Sequence, residues 1–255
     1  MLPATLTRFH IVSFITLIFC VTALLMEQFI LLTVGIVIFL TLTGLGVSFP
    51  HLKFFGLFVC HGTPTQRHVA LTFDDGPDAN STPALLDLLQ ELQTEVAFFG
   101  IGKNVASNAE LAARIVREGH LLENHTYHHS YLTNFFTAAR LKKELHQTQA
   151  IIQQTTGITP KYFRPPMGLS NPHIFRAARS LGLKLVGWSV RGFDTQTKNS
   201  EKVVARITKK LKPGMIILLH DGKISSEHLV TTVKMLLAHL HARGYQVVRL
   251  DKLLN

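Results

Sequence analysis

Val69-Ala70-Leu71-Thr72-Phe73-Asp74-Asp75-Gly76-Pro77 reads as a buried strand that delivers two carboxylates to its own C-terminal end. An apolar run leads straight into the acids, and Gly76-Pro77 stops any regular element. In α/β proteins that end of a strand is where chemistry tends to sit. Side chains alternate along a strand, so Asp74 and Asp75 can take different roles, such as proton acceptor and metal ligand. A solvated Asp-Gly-Pro turn has the same spelling, so the rest of the chain must decide.

Outward from this stretch, strand-like and helix-like segments alternate. Strands are predicted over 68–73, 95–101, 120–124, 162–164, 184–189, 215–219 and 245–250. Helices are predicted over 81–92, 108–118, 136–155, 172–181, 200–211 and 226–243. Ser81-Thr82-Pro83 supplies a cap with proline at the first helical position. About seven strands alternating with six helices argue for an α/β fold around a mostly parallel sheet. Local pattern does not separate an open sheet from a closed barrel.

The first sixty residues differ from the rest. Their only formal charges are Arg8, Glu27 and Lys53, and two apolar stretches, about 9–26 and 29–49, fill the region. Each approaches the ~20 residues that cross a bilayer as a helix. Glu27-Gln28 is the polar break between them and suits a tight hairpin. A cleaved signal peptide is shorter and needs a small-residue cleavage site. A buried soluble helix pair would require a large partner. The expectation is a membrane anchor over residues 1–60, a multi-pass segment of a bacterial-type cytoplasmic membrane, followed by a catalytic domain over 61–255 and joined to it by residues 49–66. Arg8 and Lys53 lie at the outer ends of the two spans, which by the positive-inside rule puts the domain in the cytoplasm.

Residues 61–255 carry +9 of the chain's net +10. This favours anionic partners such as phospholipid headgroups, a phosphate-bearing lipid carrier or an acidic glycan. No nucleic-acid motif is present, and no nucleic-acid partner is expected. The two cysteines, Cys20 and Cys60, are read as unpaired, which implies neither a disulfide framework nor a cysteine-rich zinc site.

The unusual polar residues fall at matching strand ends. Asp74-Asp75 ends the first strand, His125-Thr126-Tyr127-His128-His129 follows the third, and Arg164-Pro165-Pro166-Met167-Gly168 follows the fourth. Trp188 and Asp194 surround the end of the fifth, and His220-Asp221 ends the sixth. In a parallel sheet these ends converge. Two histidines, one carboxylate and an open position make a hydrolytic metal site, usually of Zn²⁺. His125 and His129, four apart, could share one face of a helical turn. Asp74 could take a proton from water at the metal, and His220 could protonate a leaving group. Arg164 could hold Asp74 ionised, and Asp194 could orient His220. His125 to His129 lacks the glutamate of His-Glu-x-x-His metalloproteases.

From about residue 66 to 250 the chain resembles the polysaccharide deacetylase family, also called the NodB-homology or carbohydrate esterase 4 family. Thr72–Pro77, His125-Thr126-x-x-His129, Arg164-Pro165-Pro166-x-Gly168 and Leu218-Leu219-His220 match its first, second, third and fifth motifs. The resemblance implies a distorted (β/α) barrel, often of seven strands. It implies Asp74 as base, Asp75, His125 and His129 as metal ligands, Arg164 as the residue that orients the base, and His220 as general acid. Leu218, Trp188, Met167 and Pro166 are the candidates for substrate contact. Met167 stands where the third motif usually has an aromatic, and Thr195 stands where the fourth has tryptophan. Both departures bear on acyl and sugar specificity.

The expected reaction is hydrolysis of an N-acyl group from an amino sugar, dependent on a divalent metal, zinc first. A backbone N–H near Tyr127 or His128 is a candidate to assist the oxyanion. Two substrates compete: a cell-envelope polysaccharide or peptidoglycan outside the cytoplasm, and a lipid-linked sugar at the membrane surface. A glycan-binding pseudoenzyme would need a broken ligand set, and none of the three ligand positions is substituted.

Overall fold

The computed structural model of the protein describes residues 6–63 and 66–255. Residues 64 and 65, part of the predicted connection, lie outside the described residues. Helices α1 (Arg8–Leu25) and α2 (Phe29–Ser48) form a hairpin whose turn is residues 26–28, with Glu27 in the left-handed region. The only buried residues of the pair are Ala23, Gly35 and Gly46, so their apolar side chains face outward along both helices. These helices meet the length and hydropathy of membrane spans, and little of their surface is buried within the chain.

The α/β unit begins with β1 (His68–Asp74) and α3 (Thr82–Glu91). Then come β2 (Ala97–Gly100), α4 (Gly102–Ser107), α5 (Ala109–Arg117) and β3 (Leu121–Asn124). Next are α6 (Ala138–Thr156), β4 (Tyr162–Phe163), α7 (Pro172–Ser180), β5 (Lys184–Leu185) and β6 (Val190–Arg191). The chain ends with α8 (Ser200–Lys209), β7 (Ile216–His220), α9 (Ser226–Ala242), β8 (Gln246–Val247) and α10 (Leu250–Leu254). The strand order is β5-β4-β3-β2-β1-β7-β6, with β8 beside the start of β1, and every pairing is parallel.

The two ends of that order are neighbours in sequence. Residues 184–191 run as one bent strand whose first half pairs with β4 and whose second half pairs with β7. Between the halves, Ser189 N donates to Ile216 O at 2.9 Å and Val186 N to Phe163 O at 2.9 Å. One chain segment thus touches both edges and bends the sheet into the distorted (β/α) barrel. The single predicted strand over 184–189 is split in this way, and counting the segment once leaves the seven expected strands.

Alternation along β1 sorts its residues. Leu71 and Phe73 point outward into the core formed with α3, α8 and α9, where Phe73 stacks on Phe98 at 5.4 Å between centroids. Ala70 points inward and packs with Ala97, Phe99 and Ile216. The predicted final strand over 245–250 is corrected. Only Gln246 and Val247 pair with β1, and Leu250 and Leu253 then turn helical to bury against Ala70 and Ile216 at the base of the barrel. Helix α4 was not predicted, because Gly102, Asn104, Ser107 and Asn108 leave too few apolar positions to show a period. Ser81 does not cap α3 with its side chain and instead donates to the Asp221 carbonyl.

Among the described residues, hydrogen bonds join the hairpin to the rest of the chain at one end. Arg8 Nη1 donates to Leu52 O at 3.0 Å, and Phe9 N donates to Phe54 O at 3.0 Å. The amide and hydroxyl of Ser170 donate to Val47 O and Gly46 O, each at 3.1 Å. Cys20 and Cys60 are both free thiols.

Candidate active site

Register puts the key residues at one height. Asp74 pairs with Phe99 on one side and His220 on the other, and Asn124 lies level with Phe163. Each strand therefore releases its polar residues at the same end of the barrel.

Asp74 is buried, and its Oδ1 accepts from Arg164 Nη1 at 2.6 Å. Arg164 is wholly buried. Its Nη1 also donates to Thr72 Oγ1 at 2.9 Å, its Nη2 to Gly187 O at 2.8 Å, and its guanidinium lies 4.0 Å from the centre of the Phe99 ring. Burial draws the Arg164 guanidinium below its usual value, while Asp74 opposes that shift. An arginine stays charged through such a change, so Asp74 faces a fixed positive charge. Three fixed contacts hold the guanidinium and aim it at Asp74.

Asp75 has φ 76°, in the left-handed region where side chains other than glycine are strained. Asn104 Nδ2 holds its carbonyl at 2.8 Å. The twist turns its carboxylate toward two imidazoles: Oδ1 lies 3.6 Å from His125 Nε2 and 3.3 Å from His129 Nε2. Ligand atoms of the three residues all fall within 4.8 Å of one another. Tetrahedral Zn²⁺ with bonds of about 2.0–2.2 Å separates its donors by roughly 3.4 Å, so the set fits a small divalent ion. The protonation states fit too. His125 Nδ1 donates to the Arg164 carbonyl at 2.6 Å, which leaves Nε2 bare toward Asp75. Burial, reinforced by His125, lowers His129 to about 4, so it is the neutral ligand form near neutrality. Burial alone would raise Asp75, but His125, His129, Lys223 and His220 together bring it below the usual carboxylate value.

The histidines do not share a helical face as predicted. Residues 125–129 form a loop in which Thr126 and His129 have φ 64° and 51°, and this loop brings the rings to 4.8 Å between centroids. Asn124 Oδ1 accepts from Thr126 N at 3.0 Å, and Thr126 Oγ1 accepts from His129 N at 3.1 Å. Buried Glu144 of α6 accepts from the amides of Tyr127 and His128 at 3.1 and 3.0 Å, and its other oxygen lies 2.8 Å from His128 Nδ1. The two amides proposed for the oxyanion are therefore already spent on Glu144.

His220 lies on the β7 side of the site. Asp194 Oδ1 accepts from its Nδ1 at 3.0 Å, and Asp194 Oδ2 accepts from its backbone N–H at 2.8 Å. Nε2 is left for chemistry. Burial would lower this imidazole, but the hydrogen bond and charge of Asp194, with Asp74 and Asp75, carry it above its ordinary value. The charged, proton-donating form is favoured.

The candidates for substrate contact are spread around the mouth. Leu218 is buried in β7, level with Thr72. Pro166 is buried, while Met167 takes φ 60° and is exposed. Gly168, at φ 65°, lies flat on the Trp188 ring, where any Cβ would collide with it.

Asn104, Asn124 and Glu144 were not singled out from the sequence, and Thr72 and Asp221, which fall in the quoted stretches, were given no role. Asp221 is fully buried, with its carboxylate accepting from Thr82 Oγ1 at 2.7 Å and Gly76 N at 3.1 Å, and a Cβ at Gly76 would strike it. A signal existed for Glu144, since it shares a helical stripe with the buried Leu141, Leu145, Thr148 and Ile152. An acid in such a stripe needs partners.

Comparison with known proteins agrees with this geometry. A family model described as polysaccharide deacetylase matches residues 61–186. A peptidoglycan-N-acetylglucosamine deacetylase of Bacillus cereus is 34% identical over 192 residues, covering 74% of this chain and 89% of the relative. A chitooligosaccharide deacetylase of Bradyrhizobium is 32% identical over 198 residues, covering 73% and 90%. Among solved structures, a peptidoglycan N-acetylglucosamine deacetylase superposes with a TM-score of 0.73 at 28% identity, covering 77% of this chain and 92% of that one. Nearly the whole length of these relatives is thus matched by the α/β unit described above, and the chain belongs to the polysaccharide deacetylase family.

Proposed function

We propose that the protein is a metal-dependent N-deacetylase of an amino sugar in a cell-envelope glycan, held at a membrane by residues 1–60 and carrying its catalytic domain in residues 61–255. The observation that carries this reading is the Asp75–His125–His129 cluster, with ligand atoms within 4.8 Å of one another, beside Asp74, which pairs across the sheet with His220. Asp75, His125 and His129 would hold a divalent ion, zinc first among candidates. Such an ion supplies Lewis acidity toward water and an acyl carbonyl. Asp74, held and aimed by Arg164, accepts the proton of the attacking water. His220, charged and oriented by Asp194, gives its Nε2 proton to the departing amine. Leu218, Trp188, Pro166 and Met167 border the acyl group and sugar.

The names of the relatives support N-acetylated glycans of the peptidoglycan or chitooligosaccharide type. A second reading, removal of an acyl group from a lipid-linked sugar, is favoured by one observation. The loop that follows the Arg164 motif is hydrogen-bonded to the end of α2. The two readings differ in which membrane face carries the site, and reporter fusions at the C-terminus decide that. Acetate release from N-acetylglucosamine oligomers by the purified, metal-loaded full chain tests the reaction. No release from any N-acyl sugar, with metal bound, overturns it.

A further inference from the structure

The rim of the site nearest the hairpin exposes large apolar side chains. Phe135 is 82% exposed, Tyr131 75%, Leu132 62% and Met167 58%. Isolated surface hydrophobes are ordinary, but four around one mouth mark an interaction surface. Hydrogen bonds tie this rim to the end of the hairpin. Asn171 Nδ2 donates to Asn134 O at 2.6 Å, which locks the loop bearing Leu132 and Phe135 to the loop bearing Met167. The next residue, Ser170, is bonded to Gly46 and Val47 at the end of α2. His129, a candidate metal ligand, lies 6.5 Å from Tyr131 between ring centroids.

That same end of the hairpin carries the only two basic residues of the first sixty, Arg8 and Lys53, whereas Glu27 lies at the far turn. Basic residues at a span's end mark the headgroup level, and tyrosine with other aromatics is enriched there. The apolar outer surface of α1 and α2 and the exposed rim are therefore tied together at the basic end of the hairpin.

We propose that Tyr131, Leu132 and Phe135 insert into the headgroup layer of the bilayer that holds α1 and α2, so that the mouth of the site opens at the lipid surface and takes amino sugars presented there. The occupant of the rim is a phospholipid bilayer. This proposal rests on the reading of residues 1–60 as a membrane anchor. It holds for a lipid-linked sugar and for a polymer lying close to its own membrane.

The test uses the full chain in vesicles of phosphatidylethanolamine and phosphatidylglycerol, with or without brominated acyl chains, which quench tryptophan on contact. Phe135→Trp and Leu132→Trp report on the rim. Leu92→Trp, at the C-terminal end of α3 and so at the opposite end of the barrel, is the control, with the signal of native Trp188 subtracted. The expected result is loss of emission at positions 135 and 132 in brominated vesicles and none at 92. Alkaline extraction is run alongside. A chain that stays in the vesicles but shows no quenching at the rim overturns the docking and leaves the anchor standing. A chain that is extracted overturns the anchor and the docking with it. A rim signal that is unquenched and changes with the protein-to-lipid ratio overturns the proposal in favour of a second copy. The Leu132→Ser/Phe135→Ser double variant should raise KM several-fold for an N-acetylated glycolipid in vesicles and leave kcat/KM for soluble chitooligosaccharides unchanged. Equal effects on both substrates overturn the lipid-surface role.

Discussion

Asp74 and Asp75 are adjacent in sequence yet held by different parts of the barrel. Arg164, buried and bonded at three points, holds the first, and two imidazoles face the second. Asp74→Asn is therefore expected to lower acetate release by about 10²–10⁴-fold, the range for a lost general base, while metal content stays at one ion per chain by elemental analysis. Normal turnover in that variant would remove Asp74 from its role. Asp75→Ala or His125→Ala should instead lose the metal. His220 gives a pH prediction with a definite sign. Its value is raised, so as an acid it works below that value, and kcat/KM should fall as pH rises through it. Asp194→Asn removes the charge that raises it and leaves the lowering effect of burial, so the falling limb of the pH–rate profile should move to lower pH. A limb that stays in place would mean that another group donates the proton.

Among the elements, α6 does more than cover the sheet. Glu144 reaches from its buried face to fix the loop that carries both histidines. Removing such support typically weakens metal binding by about 10–100-fold, and Glu144→Ala should do so in a competition titration with a chelator while the helix content by circular dichroism is retained. This residue also shows where sequence reading stops. Hydrophobic period reports which face is buried, and it placed β1, the strand ends and the six long helices close to their observed positions. It does not report what a buried polar group bonds to. Glu144 therefore passed as one more polar residue of a helix, and the Tyr127 and His128 amides looked free. Short elements fail for a related reason. The strands expected over 162–164 and 184–189 are found, but the split of the second into β5 and β6 follows from the bend of the barrel, and α10 forms because Leu250 and Leu253 are needed at its base. The candidate set could be gathered from the sequence because its members lie at or just beyond strand ends, and parallel strands gather their ends without any contact having to be known.

For the whole molecule, two buried carboxylates contribute to the pH dependence of stability with one sign, and His129, lowered to about 4, opposes them. Asp221 and Glu123 are each raised to about 7, in both cases chiefly by burial. Unfolded carboxyls titrate near 4, so between about pH 4 and 7 these two groups hold more protons in the folded chain than in the unfolded one, and their contribution to stability falls as pH rises through that window. Above about 7 the loss levels off. The midpoint of thermal unfolding, followed by Trp188 fluorescence of the full chain in detergent, should be higher at the acidic end of this window. Asp221→Asn and Glu123→Gln should each flatten the slope, and an unchanged slope in both would exclude these groups as its source. The bent segment over 184–191 has a further meaning for how the protein becomes active. It supplies Gly187 O to the guanidinium that aims Asp74, and the same segment joins the two edges of the sheet. A nascent chain can build β1 to β4 and the three candidate metal ligands before that segment has a β7 to lean on. Metal affinity should then arrive early in refolding, and hydrolysis should wait for the ring to shut. A stopped refolding series that measures both would see a species that binds the ion and cannot yet turn over.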